Sequence, residues 1–460
     1  MEERKGKGRK MLCAIPMETA VRELDGVLYL ALHLARHSIP CLIGERMVNR
    51  IVSSSPEPVI YFDTDHDREC ARKVLDKGGK VINLHSEGIN MFDAPSILSP
   101  FIDNIDSASA MCVWGQAQAD LIAQNVEEQY RARVKGTGYP SFDLASSRFI
   151  DYYRKREIVD AYGEDYILIN TNFSYGNNSM GLERWLEVVC QADNLDYFHH
   201  EQHRKFVYDL AEYQTTLVGA FVEMTKILSE RFPDKWIVFR PHPSENVGFY
   251  SEAFDRNGNI AVTNRWSVRS WLATSGPVIH HDCTTGVEAL LMGKHVINYR
   301  PIFEPGIAAP IPSLVGARAE TPAQVMELIE AGSPSPDFVR EQLQTVAPYF
   351  ATVNGNASRT LAGIAADLGG GVPGVLPDSP AFRVAFGNWM KYVGRTIKSR
   401  LPDGWCDDRK RRARTALEKF PRIERRQMVA LFDKLRRVEP DLPHVEVRKL
   451  CLNTFLITKA

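Results

Sequence analysis

The sequence predicts an α/β fold: two Rossmann-like halves in tandem, followed by a basic, helical C-terminal tail. Three observations carry this. Short apolar runs of strand length alternate with helix-period segments, once over the first 135 residues and again from about residue 164. The 460-residue length allows two such domains and an appendage. Charge then separates the end from the body: residues 381–460 hold 20 Lys and Arg against 9 Asp and Glu, although the whole chain carries a net −1.

In the first half, Met11–Pro16 reads as a strand. Thr19–His37 reads as a helix, with Leu24, Val27, Leu28, Ala31, Leu32 and Ala35 on one stripe. Strands are predicted at Ile39–Gly44, Val59–Asp63, Lys80–Leu84 and Ala110–Trp114, and a helix at Asp67–Leu75 stops at Gly78-Gly79. Turn chemistry at Lys135–Asp143 closes this half. The domains are expected at 1–145, a linker helix at 146–163, a second domain at 164–355 and the tail at 356–460. The second half begins with the strand Tyr166–Asn170 and a polar loop, Thr171–Asn178. A long helix, Leu210–Arg231, precedes strands at Trp236–Phe239, Ile260–Val262, Pro277–Ile279 and Val296–Tyr299. The strand ends of the two halves are expected to face each other across a cleft.

Composition narrows the function classes. Eight cysteines without a CxxC pair read as reduced thiols rather than a disulfide framework. No run reaches the ~18 apolar residues of a membrane span, and Met11–Pro16 is too short for a signal-peptide core. A cytoplasmic protein is expected. In the tail, Phe382, Phe386, Trp389, Tyr392 and Trp405 interleave with the basic residues. This suits an anionic inner-membrane surface rather than nucleic acid; the bland alternative is a solvated helical surface packed on the body.

Two segments carry the chemistry. Arg240-Pro-His-Pro-Ser-Glu245 and His280-His-Asp-Cys-Thr-Thr-Gly-Val-Glu288 each follow a predicted buried strand, where open α/β sheets bind ligands. The prolines flanking His242 stiffen that corner, so Arg240, His242, Ser244 and Glu245 are candidates for a phosphate. The second segment opens a helix, whose unpaired N–H groups favour an anion. There His281, Asp282, Thr284 and Thr285 join the candidate ligand contacts. Thr285 with Glu288 also fits a capping box, so Glu288 either caps the helix or reaches a ribose. Asn172, in the polar loop, completes this set.

Other groups are weighed beside these. Glu87 follows the fourth strand and is the candidate acid or base for an acceptor hydroxyl. Asp25 and Glu23, near the start of the first helix, are weaker catalytic candidates. His199-His200-Glu201 with His203 reads as a surface loop or a lid. No metal site is expected, because His280 and His281 at a strand end point to opposite faces. GxGxxG and Walker patterns are absent, which lowers the dehydrogenase and P-loop readings.

Arg22-Glu-Leu-Asp25, Ser86-Glu-Gly88, Gly138-Tyr-Pro-Ser-Phe-Asp143, Asn170-Thr-Asn-Phe173, Arg240-Pro-His-Pro243 and Asp282-Cys-Thr-Thr-Gly286 together resemble glycosyltransferases of the GT-B fold. The likeness is to bacterial capsule and lipopolysaccharide biosynthesis proteins, over roughly residues 11–310. The acidic-Gly, His-Pro and Ser/Thr-pair motifs of sialyl- and Kdo transferases correspond to Glu87-Gly88, His242-Pro243 and Thr284-Thr285. Ser86 and Thr284 depart from that pattern, which expects an acid and a Ser. The resemblance implies a CMP-activated Kdo or nonulosonic acid as donor substrate, no other cofactor, and a glycan or lipid-linked glycan acceptor. It further implies that Glu87 handles the acceptor proton while His242 and the hydroxyl pair hold the donor phosphate. If configuration were retained, Asp25 or Asp65 would be the second carboxylate to test. Epimerases, hydrolases and CDP-glycerol transferases share the fold, and a non-catalytic assembly scaffold is the rival of another class.

Overall fold

The computed structural model describes residues 11–85, 95–193, 201–351, 355–370, 382–401 and 407–460. The chain divides into two compact units, Met1–Leu144 with Ala347–Ala460, and Ala145–Val346.

The first unit opens with six strands, β1 (Cys13–Met17), β2 (Cys41–Glu45), β3 (Ile60–Asp63), β4 (Lys80–Asn83), β5 (Ala110–Val113) and β6 (Val134–Gly136). They are all parallel, in the order β2-β1-β3-β4-β5-β6. Helices α1 (Ala20–Arg36), α2 (Met47–Ser54), α3 (Arg68–Asp76) and α4 (Gln116–Gln124) lie between strands. Strands β1 to β5 are buried on both faces, as crossovers of this kind require, while the edge strand β6 is partly exposed. Strand β6 falls where the sequence reads as turn. Its three residues carry little apolar signal, and pairing with β5 makes them a strand.

The second unit holds β7 (Tyr166–Asn170), β8 (Ile237–Arg240), β9 (Ile260–Val262), β10 (Ser275–His280), β11 (Val296–Tyr299) and β12 (Ala317–Ala319). Their order, β12-β11-β10-β7-β8-β9, is parallel throughout and reverses between β7 and β10. That reversal is a topological switch point, where ligands of doubly wound sheets bind. Its helices include α5 (Glu201–Arg231), α6 (Val268–Leu272), α7 (Thr284–Leu291) and α8 (Pro322–Ala331). Leu217, Phe221, Met224 and Leu228 of α5 pack on Ile167, Ile169, Phe239, Ile279 and Ile297 of one sheet face. Two parallel α/β sheets with these orders are the Rossmann-like pair that the alternating pattern and the GT-B resemblance predict.

The chain then returns to the first unit through α9 (Ala357–Leu368), α10 (Phe382–Ser399), α11 (Asp407–Lys419) and α12 (Arg425–Val438). The buried Asp143 carboxylate accepts from the N–H groups of Ala357 and Ser358 at 3.0 and 2.7 Å, fastening the start of α9. The tail expected to be helical also ends in a hairpin, β13 (Val445–Cys451) and β14 (Thr454–Lys459), which extends the first sheet antiparallel to β2. Leu456 joins the core beside Ala14 and Leu42. Gly44 lets Asn453, at φ +53°, turn the hairpin against β2.

Candidate nucleotide-phosphate site

Residues at the carboxyl ends of four adjacent strands of the second unit, the last of β7, β8 and β10 and the last but one of β11, form one row. Asn298 of β11 is in register with His280 of β10, His280 with Asn170 of β7, and Asn170 with Arg240 of β8. Register places these side chains on one face. It is the face opposite α5, because their neighbours Ile169, Phe239 and Ile279 point into the α5 core. Below the row lie Leu168, Val238, Val278 and Val296, so this face of each strand turns from apolar to polar at the row.

Each member of the row has a buried polar atom without a hydrogen-bond partner among the described residues. These are Asn298 Oδ1, His280 Nδ1, both amide atoms of Asn170, and Arg240 Nε. Asn170 is only 1% exposed. Unsatisfied buried polar groups are costly and rare in folded proteins, so their concentration makes this row the candidate ligand site. Arg240 donates through Nη2 to the Trp266 carbonyl at 3.1 Å, and burial lowers its pKa against the attraction of Cys283 and Glu288. His280 donates Nε2–H to the Val315 carbonyl at 3.0 Å. Burial holds this imidazole neutral, with its pKa lowered to about 4.

Above His280 sits the first turn of α7, where Gly286 lets the helix backbone approach the ring. Here the structure corrects the expected capping box. Asp282 takes φ +47°, and the helix begins two residues earlier than that box requires, at Thr284, with Cys283 as N-cap. The Cys283 thiol accepts from Thr285 Oγ1 at 3.0 Å. Glu288 does not cap. It pairs with Arg269 Nε of α6 at 2.6 Å, and Arg269 Nη1 reaches the Tyr153 hydroxyl at 3.2 Å. Burial works against the Arg269 charge, but Glu288 and Tyr153 outweigh it and hold its pKa up.

The corner after β8 is bound to the loop after β7. Glu245, buried, accepts from Thr171 Oγ1 at 2.8 Å, from the His242 N–H at 2.8 Å and from the Tyr250 hydroxyl at 2.6 Å. Burial raises its pKa, and these donors offset the rise. Ser174 and Ser244 share a hydrogen bond at 2.6 Å and both approach His242 Nδ1, at 3.1 and 2.7 Å. The Ser244 N–H also donates to Nδ1 at 3.3 Å, so in the neutral ring the proton sits on Nε2. Thus His242 is exposed and fixed in orientation. Half-buried Asn172 belongs to the same polar loop, which the Asn178–Glu245 bridge ties to the corner.

Some sequence candidates take other roles. Glu245 holds the two loops together, with its oxygens occupied by protein donors. His281 lies on the other face from His280, as two adjacent strand-end residues must. It donates Nδ1–H to the Tyr299 carbonyl at 2.9 Å and accepts from the Tyr213 hydroxyl at 2.8 Å, so neither nitrogen is left for a ligand. Asp282 is buried, with Oδ2 3.2 Å from His281 Nε2, and Oδ1 has no hydrogen-bond partner among the described residues. Arg300 stands near it, with burial lowering the arginine's pKa and Asp282 opposing that. The Asn170–His280–Asn298 row and Arg269 are missing from the sequence-derived set. A polar residue at or next to the end of each apolar strand was the signal available for the row.

In the first unit, Glu87 with Ser86 and Gly88 lies outside the described residues, as do His199 and His200 of the second unit. Glu201 begins helix α5 rather than a loop. Half-buried Asp25 lies in the second turn of α1. Glu23 is occupied by the helix start, accepting from Thr19 N–H at 2.8 Å. Asp65 pairs with Arg46 at 3.0 Å, and burial raises its pKa despite that partner. Among the described residues, no group of three or more His, Cys, Asp or Glu side chains has metal-holding geometry, and no helix is long and apolar enough to cross a membrane.

No family model matches this chain, and no curated protein matches it in sequence. Solved structures do resemble it. A UDP-N-acetylglucosamine 2-epimerase is 12% identical, over 76% of this chain and 94% of its own, with a TM-score of 0.49. The UDP-GlcNAc 2-epimerase of Neisseria meningitidis, bound to UDP-GlcNAc, is 12% identical over 77% and 98%, with a TM-score of 0.47. The wall teichoic acid polymerase TagF is 12% identical over 78% and 89%, with a TM-score of 0.45. Likeness at these values assigns neither residues nor a reaction to this chain.

Proposed function

We propose that this protein is a GT-B glycosyltransferase that moves a sugar from a CMP-activated donor, Kdo or a nonulosonic acid, to a surface glycan or lipid-linked glycan. The observation that carries the nucleotide reading is the row Asn170–Arg240 with His242 and the start of α7, all at the switch point of one parallel sheet. Arg240, His242, Thr284, Thr285 and the first N–H groups of α7 bind the donor phosphate. They stabilise the charge that grows as the bond from anomeric carbon to phosphate oxygen breaks. The acceptor oxygen forms the new bond to that carbon, CMP departs with the electron pair, and Glu87 takes the acceptor proton. Asp282 and Asn172 contact the rest of the donor. The chemistry of these groups supplies what the step needs without a further cofactor. The enzyme works in the cytoplasm, with residues 381–460 directed to the anionic inner-membrane surface.

Three measurements test this. Thermal unfolding with CMP, CDP and UDP is expected to show stabilisation by CMP above the others, and no response to any of them would overturn the nucleotide site. Glu87→Ala is expected to abolish transfer with CMP affinity nearly unchanged, whereas His242→Ala weakens both. Full turnover by Glu87→Ala would refute the base assignment. Product formed from nucleotide-sugar without acceptor would make the enzyme an epimerase or hydrolase.

A further inference from the structure

Helix α10 carries an apolar stripe turned away from the unit it packs on. Phe386, Trp389, Met390 and Ile397 are 49, 51, 48 and 60% exposed, and with half-buried Val393 they recur at i, i+3, i+4, i+7 and i+11. That spacing confines them to one face about 100° wide. The opposite face is anchored. Buried Asn388 donates to the Leu452 carbonyl at 3.0 Å, and Arg395 Nη1 to Glu45 at 2.8 Å. The stripe is therefore not the buried side of the helix, and four large apolar residues on one exposed face mark an interaction surface.

Charge identifies the occupant. Between residues 382 and 419 there are 11 Lys and Arg but only 4 Asp and Glu. Lys391, Lys398 and Arg400 on and beyond α10 are exposed, as are Arg409, Arg412 and Arg414 on α11. Arg414 Nε donates to the Ser399 carbonyl at 3.3 Å, holding α11 against the end of α10. A protein partner or a second copy would have to cover these like charges with acids. The surface of an anionic bilayer satisfies both sets together, headgroups meeting the cations while the apolar stripe enters the acyl boundary.

We infer that α10 and α11 form a lipid-binding surface, in which Phe386, Trp389, Met390 and Ile397 insert into an anionic membrane interface and the arginines of α11 bind its headgroups. This deepens the membrane-surface partner of the proposed function, and vesicle binding is read without any turnover, so either can fail alone.

The test is flotation of the full chain with vesicles of phosphatidylglycerol and phosphatidylcholine in equal parts, and with phosphatidylcholine alone. Binding to the first is expected, with loss in high salt. The triple variant Phe386→Ser, Trp389→Ser, Ile397→Ser should lower partitioning by about two orders of magnitude or more, at unchanged melting temperature. Arg409→Glu, Arg412→Glu, Arg414→Glu should abolish the preference for the anionic lipid. Brominated lipid should quench tryptophan fluorescence in the wild type and less in Trp389→Phe. Equal binding to both vesicle types, no binding, or binding unchanged in the triple variant would overturn the inference. A concentration-dependent dimer lost in that variant, without vesicle binding, would assign the stripe to a second copy instead.

Discussion

Gly286→Ala probes the contact that sets the start of α7 on the floor of the site. A Cβ there would lie 2.5 Å from His280 Cε1 and Nε2 and 2.7 Å from Nδ1. The ring has nowhere to retreat, being fully buried and hydrogen-bonded to the Val315 carbonyl. Ordinary contact begins at 3.4 Å, so the first turn of the helix must lift by about 0.9 Å. Overpacking of this kind costs about 1–3 kcal/mol, offset in part by the ~1 kcal/mol gain in helix propensity of Ala over Gly. The net loss of up to ~2 kcal/mol lowers the melting temperature by up to roughly 8 °C for a unit of this size. The same lift moves the N–H groups and hydroxyls of Thr284 and Thr285 off the phosphate position, so the stabilising shift given by CMP should shrink as well. Thermal unfolding with and without CMP reads both effects. Gly219→Ala, in α5 with nothing within 4 Å of the added carbon, is the control and should be neutral or stabilising. Adding His280→Ala to the Gly286→Ala variant removes the collision and should recover part of the lost CMP response. A Gly286→Ala protein that melts and responds to CMP like the wild type would show that the helix start is not seated on His280 as argued.

Two further tests address the surroundings of the row. Arg269→Met leaves Glu288 mostly buried without its counter-charge and should destabilise by about 3–5 kcal/mol in urea unfolding, whereas Arg269→Met with Glu288→Met should return close to the wild type; equal loss in both would refute the pairing as the cause. The buried His280 makes stability depend on acid. Its folded pKa is lowered to about 4 from the ordinary 6.5, so the unfolded chain binds the proton first as pH falls. Its contribution is complete above pH ~6.5 and is lost progressively down to ~4, amounting to about 3 kcal/mol. A His280→Asn variant should show a smaller decline of urea midpoint over that window, and an identical decline would refute the assignment.

The alternation of apolar strands with helix-period segments, and the polar residues placed just after the strands, were legible without coordinates. Both are local properties. A strand buried on two faces must read as an apolar run, and Arg240-Pro-His-Pro243 announces a stiff corner through the chemistry of its own residues. The C-terminal hairpin was not legible in the same way, because Val445–Cys451 alternates with charges that read as a basic surface. Only pairing with β2, permitted by Gly44 and Asn453, makes it part of the first sheet. Partner choice at the site was equally non-local. Spacing alone joined Glu288 to Thr285 as a cap, but a left-handed Asp282 moved the helix start and a buried Arg269, 19 residues earlier, claimed the carboxylate. The sequence by itself determined which residues end the strands and therefore which chemistry collects there. Tertiary structure alone decided which of them are satisfied by one another, as Glu245, His281 and Glu288 are, and which have polar atoms without a hydrogen-bond partner among the described residues, as Asn170, Arg240 and His280 do. The physical reason is that hydrogen bonds and ion pairs are formed by proximity in space, which register and crossover connections create between positions far apart in the chain.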